Sequence, residues 1–403
     1  MEVHTDFFEA SHCAIESLAT NRVRCRLISE RSGSQTFHFC VRLDGLADGR
    51  LGELEIVWPR VWTAADLPAD ANAETVSRMT GHDSFLSVLP RVTLRSRDLD
   101  TWTPIEGVRI DEASDTAVVP LVGDGKPIYV CTQIPYRPDH YTALLDHVRR
   151  LAPECLHEIG RSQATRPLYV VALPATSGEP SEAPTVYIQA LQHHGEHSGG
   201  FIVNTLLRDL LDATTGGPLR ERVNWQIMPM FDVDGFHGLA AEADDVRRKN
   251  PNRDWDVADW PEVAAVKRWW HQQRDAGCRY AVCFDLHNGW SHRNASGACY
   301  TVFADDEAPP ALIAEQKRFI DSLYARTDHE TGKHWAHKLP FGLSCKHAFY
   351  ELTGAPLSFT VEFSRHLWWD RPSRAYVPAR PDHPVRWARD MAPALVAYLT
   401  ANG

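Results

Sequence analysis

The 403-residue chain has no surplus of positive charge, since 42 Lys and Arg stand against 53 Asp and Glu for a net charge of -11. A broad phosphate-holding face is therefore excluded, and nucleic acid is not an expected partner. Nor is there an apolar run approaching the ~20 residues needed to cross a bilayer. The first residues, MEVHTDFFEASH, carry neither a basic stretch nor an apolar one of the signal-peptide kind. A soluble cytoplasmic protein without membrane association is expected. The nine cysteines, an odd number scattered from Cys13 to Cys345, include no CxxC pair. Reduced, mostly buried thiols fit that pattern better than a disulfide framework or a thiolate metal cluster. Internal repeats are lacking, and compositional bias is confined to a loop over Pro174 to Ala183.

What the chain does have is apolar residues at 43% and aromatics at 10%, enough to fill a large core and to exclude general disorder. At roughly 100–200 residues per domain, its length predicts two or three domains. From Asp6 to about Gln133 the apolar residues recur with period two. In Thr36 to Leu43, for example, Phe37, Phe39, Val41 and Leu43 share one face of a half-buried strand. Val23 to Ser29, Leu51 to Trp58, Phe85 to Ser96, Val108 to Leu121 and Ile128 to Gln133 read alike, which predicts an antiparallel β-sandwich.

The period changes after Pro135 to Asp139: Tyr141, Leu144, Leu145 and Val148 fall at helical spacing. The expected division is 1–137 for the sandwich and 138–403 for an α/β domain. Strands are predicted at Leu168 to Leu173, Thr185 to Leu191, Trp225 to Met230, Tyr280 to Leu286, Ala298 to Phe303 and Leu357 to Phe363. Helices are predicted near 198–213, 261–275, 309–327 and 384–400. Asp259 before Pro261 and Asp382 before Pro384 read as helix starts.

The strand from Val186 runs into Gln192-His-His-Gly-Glu-His197, a turn with three His and one Glu. His193 and Glu196 stand three apart across a glycine-containing turn, so imidazole and carboxylate can converge on one ion, a donor set that suits zinc. His194 with His197 is an alternative pair by spacing. A third ligand is needed, and His287 is the candidate. It follows the apolar run Ala281 to Leu286 in an Asp-Leu-His segment and would emerge at the carboxyl edge of the same sheet. Two neutral imidazoles and one carboxylate would leave a coordination position for water.

In Leu357 to Phe363, alternation sets Ser358, Thr360 and Glu362 opposite an apolar face, and a carboxylate inside such a strand fits a general base. Val246 to Trp255 holds four cations and two amides. Asn252 beside Arg253 forms a donor array for a carboxylate, and a further Arg could stabilise an oxyanion.

This order of HxxE, Asn-Arg, a distant His and a Glu in a T-x-E strand resembles the zinc metallocarboxypeptidases, most of all their cytosolic branch. His193-His-Gly-Glu196 matches that branch's HPGE with one change, Asp285-Leu-His287 its DLH, and Pro135-Tyr136 the end of its amino-terminal sandwich. The resemblance implies an α/β fold: an amino-terminal antiparallel β-sandwich, then an α/β/α carboxypeptidase domain with a mixed central sheet. It also implies one zinc ion on His193, Glu196 and His287. Asn252 and Arg253 would hold the terminal carboxylate of a peptide or protein C-terminus, with Glu362 as general base. By position Arg248, or else Arg247, would polarise the carbonyl, and Tyr350 would cover the substrate. Lys346 and His347 fall in the region lining the pocket for the terminal side chain, which raises a preference for acidic termini.

Departures from the pattern are Phe231-Asp-Val-Asp-Gly235 in place of NPDG, and Asn250 where an Asp orients the first His ligand. Two other readings compete. One is an N-acyl amino acid deacylase similar to the aspartoacylase and succinylglutamate desuccinylase group, whose extra β domain usually comes last. The other is a peptide-binding module without turnover, against which Glu362 argues.

Overall fold

The structure, a computed structural model, describes residues 1–7, 10, 11, 13–27, 38–57, 93–111, 114, 116–237, 250–288, 298–327, 335, 336, 343–364, 367–370 and 372–402. Among its described residues the amino-terminal part holds ten strands: β1 Glu2–His4, β2 Cys13–Ala19, β3 Arg22–Leu27, β4 Cys40–Asp44, β5 Leu51–Val57, β6 Thr93–Ser96, β7 Thr103–Ile105, β8 Arg109–Asp111, β9 Thr116–Val122 and β10 Ile128–Cys131. They form two five-stranded sheets, ordered β1-β4-β10-β6-β7 and β2-β3-β5-β9-β8. Alternation builds the core between them. Val23, Cys25, Leu54, Ile56 and Val119 from one sheet meet Val41, Leu43, Ile128 and Val130 from the other.

Two details differ from the sequence reading. Val108 to Leu121 contributes two strands, β8 and β9, paired antiparallel with Asp111 opposite Thr116. And β3 pairs with β5 in parallel, the one exception to antiparallel pairing among the described strands of these sheets. The expected strand segments 36–37 and 85–92 lie outside the described residues.

Beyond Pro138 come β11 Leu156–Arg161, β12 Pro167–Leu173, β13 Pro184–Ala190, β14 Asn224–Met228, β15 Arg279–Asn288, β16 Ala298–Val302, β17 Trp335–Ala336 and β18 Leu357–Phe363. They make one mixed sheet ordered β11-β12-β14-β13-β15-β18-β16-β17, parallel at its centre through β14, β13, β15 and β18. The helices that matter below are α1 Pro138–Leu151, α2 Ser198–Leu211, α3 Val233–Phe236, α4 Pro261–Asp275, α5 Pro310–Arg326, α6 Cys345–Thr353 and α7 Asp382–Asn402.

Both faces of the sheet are covered, which is why its central strands are apolar almost throughout. On one face Phe284 meets Phe319 of α5 and Trp387 of α7. On the other, Tyr187 meets Trp270 of α4 and Phe349 of α6. α4 opens on Pro261 as expected, but its first N–H groups are met from further back: Asp254, not Asp259, accepts the Trp260 N–H at 2.8 Å.

Candidate metal and peptidase site

Register places the site. Ala190 at the end of β13 pairs with Leu286 of β15, and one residue further along β15, His287 pairs with Glu362 of the parallel strand β18. Three strand ends thus deliver His193, His287 and Glu362 to one carboxyl edge. The start of α2 is clamped to the end of β15. Asn288 accepts from the Ser198 N–H at 3.1 Å and donates to Ser198 Oγ at 2.8 Å. Glycine lets the helix lie close, because a Cβ at Gly199 would sit 3.1 Å from the Ala190 side chain.

His193, Glu196 and His287 converge with ligand atoms all within 4.8 Å of one another, and all three residues are buried. His287 Nδ1 lies 2.8 Å from Glu196 Oε2 and 3.2 Å from His193 Nδ1, and His193 Nδ1 lies 3.2 Å from Glu196 Oε1. The outer nitrogens fix the tautomers. His193 Nε2 is 2.9 Å from Asn250 Oδ1, an atom that also accepts the Asn252 N–H at 2.9 Å and so acts as an acceptor. His287 Nε2 is 2.8 Å from Asp285 Oδ2, and Asp285 is itself held by Gln189 at 2.8 Å. Each imidazole therefore carries a proton on Nε2 and turns its Nδ1 inward.

Two ring nitrogens and a carboxylate facing one another in a buried pocket need a positive charge among them, supplied by a proton or by a metal ion. Electrostatics says the same. Burial pushes the Glu196 carboxyl up, but His193 and His287 outweigh it and hold it well below the usual carboxylate range. Burial pushes the His287 imidazole down, yet Asp285 and Glu196 drive it well above its ordinary value. Nitrogen, nitrogen and carboxylate oxygen are a donor set that fits zinc.

Glu362 occupies the neighbouring strand on the same face as His287 and is half-buried. Arg253 ends a short 3-10 turn, Pro251–Arg253. Burial lowers its guanidinium to about 10, against the opposing charge of Glu362. Its guanidinium donates to the Asn252 carbonyl at 2.7 Å, its one side-chain hydrogen bond to described residues. Asn252 accepts the Cys345 N–H at 3.1 Å, and its amide nitrogen is 3.5 Å from His287 Nε2. The triad, Glu362, Asn252 and Arg253 are thus one assembly.

Other expected residues lie elsewhere. Arg247 and Arg248 are outside the described residues. Lys346 is buried in α6, donating to the Val302 carbonyl at 2.8 Å, and burial lowers its amine to about 8 against the pull of Glu307. Val302 ends β16 on the side away from Cys299, the partner of Glu362. Tyr350, one helical turn on, packs on Phe303. Neither Lys346 nor Tyr350 is brought to the triad. His194 bonds Asp232, and the His197 ring stacks edge-on against His38 of the sandwich, so neither joins the metal cluster. Sequence reasoning missed Asp285, although its place two residues before His287 on one strand face was visible.

Residues 141–317 match the zinc carboxypeptidase family, a span that includes all three candidate ligands and the Asn-Arg pair and stops short of Glu362. That region is thus similar to the zinc carboxypeptidase domain. No curated protein matches it. Among solved structures it is similar to a metallo-carboxypeptidase from Burkholderia cenocepacia at 20% identity and a TM-score of 0.75, over 100% of both chains. A metallo-carboxypeptidase from Pseudomonas aeruginosa, in complex with (2-guanidinoethylmercapto)succinic acid, matches at 18% identity and 0.75 over 99% of each chain. Carboxypeptidase A from Helicoverpa armigera reaches 16% and 0.50, over 67% of this chain and 74% of its own. The first two likenesses extend the fold over the whole chain, sandwich included.

Proposed function

We propose that the protein removes the terminal amino acid from a peptide with one zinc ion held by His193, Glu196 and His287. The observation that carries this is the convergence of two Nδ1 atoms and a carboxylate in one buried pocket, with the outer ring nitrogens held by Asn250 and Asp285. Zinc bound there would polarise the scissile carbonyl and acidify a water. Glu362, beside His287, takes the proton of the attacking water and hands it to the departing amine. Arg253, with Asn252 next to it, pairs with the terminal carboxylate. Its desolvation makes that charge-assisted contact stronger than a surface one. Arg248, or Arg247, is assigned to the developing oxyanion from sequence position.

The split into 1–137 and 138–403 is supported by two large apolar clusters, one within the sandwich and one running from Tyr136 to Leu399, and the cytosolic-branch reading by HHGE, DLH and the sandwich. A reducing, cytoplasmic setting is supported by the burial of eight of the nine cysteines. The test of the mechanism is Glu362→Gln. Zinc should stay bound while turnover falls by about 10²–10⁴-fold, and an undiminished kcat would remove Glu362 from its role.

A further inference from the structure

Leu191, the first residue beyond β13, has φ of 58°, a left-handed conformation that disfavours a branched side chain. Such strain persists only where the surroundings over-determine it. The surroundings here are the segment Phe231 to Gly235. The Phe231 N–H donates to the Ala190 carbonyl at 3.0 Å and the Asp232 N–H to the Leu191 carbonyl at 2.9 Å. One carboxylate oxygen of Asp232 accepts from His194 Nδ1 at 2.8 Å, and the other accepts the Gly235 N–H at 2.8 Å. A Cβ on Gly235 would collide with both Asp232 and His194. Asp232 and His194 are therefore joined across 38 positions of sequence. They occupy two of the places where the chain departs from the HPGE and NPDG pattern.

From this geometry we infer that Asp232 and His194 are positioning residues that tether the turn carrying His193 and Glu196. The inference rests on the zinc reading given above. Asp232 holds the strained strand end through its backbone and the turn through its carboxylate, so the two ligands meet His287 without the turn having to be ordered when metal arrives. A carboxylate is required because two donors must be accepted on separate oxygens, whereas an amide offers a single acceptor.

The test is the zinc affinity of the full chain by competition with a chelating indicator, alongside the melting temperature of the zinc-free protein. His194→Ala and Asp232→Ala are each expected to weaken zinc binding by about 10–100-fold. Asp232→Asn should fall between Asp232→Ala and the wild type. The double variant should be no weaker than the weaker single one, because both changes remove the same tether. His194 is partly exposed, so its variant reports even if Asp232→Ala does not fold. A merely structural role would lower the melting temperature and leave the zinc affinity of folded protein unchanged. Zinc affinity of His194→Ala equal to wild type, or additive losses in the double variant, would overturn the tether. Wild-type protein that takes up no zinc would instead overturn the metal reading, and the tether with it.

Discussion

At the scale of single residues, the site divides into groups that face the metal position and groups that aim them. His193 and His287 owe their tautomers to Asn250 and Asp285, so their reading as ligands depends on those partners as much as on HxxE and DLH. Arg253 offers a separable test. Arg253→Ala should raise KM for a peptide with a free C-terminus by about 10–100-fold, the size of a charge-assisted contact. Wild-type protein should lose as much when the peptide is amidated, and the variant should lose nothing further. Steady-state kinetics on the two peptides with the two proteins checks this, and equal losses on amidation in both would detach Arg253 from the carboxylate.

Elements set how closely these residues approach. A Cβ at Gly200 would stand 2.5 Å from the Tyr136 ring, which packs against α2 between Phe201 and His140. Alanine is the better helix former by ~1 kcal/mol, but overpacking of about 1–3 kcal/mol outweighs it. Gly200→Ala is therefore expected to lower thermal stability. Gly217, in the short helix Gly216–Arg220, has nothing within 4 Å of its would-be Cβ, and Gly217→Ala should raise stability slightly. Melting curves of the two variants decide the sign in each case.

Legibility in the sequence followed the same division. Leu357–Phe363 and Pro261–Asp275 were readable to the residue, because an apolar strand and a proline-started amphipathic helix are local signals. Edge strand β11, with Leu156, His157, Ile159 and Gly160 only half-buried, has no such alternation to read. Helix α6, which carries Lys346 and Tyr350, was not foreseen. Its turn sets Lys346 and Tyr350 on one side, against Val302 and Phe303, where a loop would have left both available to substrate. The three candidate ligands were legible because each sits at or just beyond a strand end. The acceptor of His193, Asn250, comes from a distant stretch that only the fold brings near, whereas Asp285 stands two residues before His287 on its own strand.

For the whole molecule, two apolar cores and one site at a sheet edge make global stability and activity partly separate properties. Glu262, in the first turn of α4, is buried among acids. Burial, then Asp232 and Asp234, raise its carboxyl to about 8 from an ordinary value of 4.5. A raised folded-state value means its contribution is fully present below about pH 4.5 and is lost as pH climbs through about 8. Glu262→Gln should nearly match wild type near pH 4.5 and exceed it by roughly 4–5 kcal/mol near pH 8.5. Denaturant unfolding at both pH values checks this, and a pH-independent difference would contradict it. Among the described residues no helix is long and apolar enough to cross a membrane.

The most direct measurement is the zinc content of the purified chain, taken with its peptide hydrolysis, before and after chelation and in His287→Ala. One zinc per chain is expected, removed by chelator together with activity, restored by zinc, and absent from His287→Ala. A metal-free wild type that still cleaves, or a His287→Ala protein that keeps its full zinc and activity, would contradict the account.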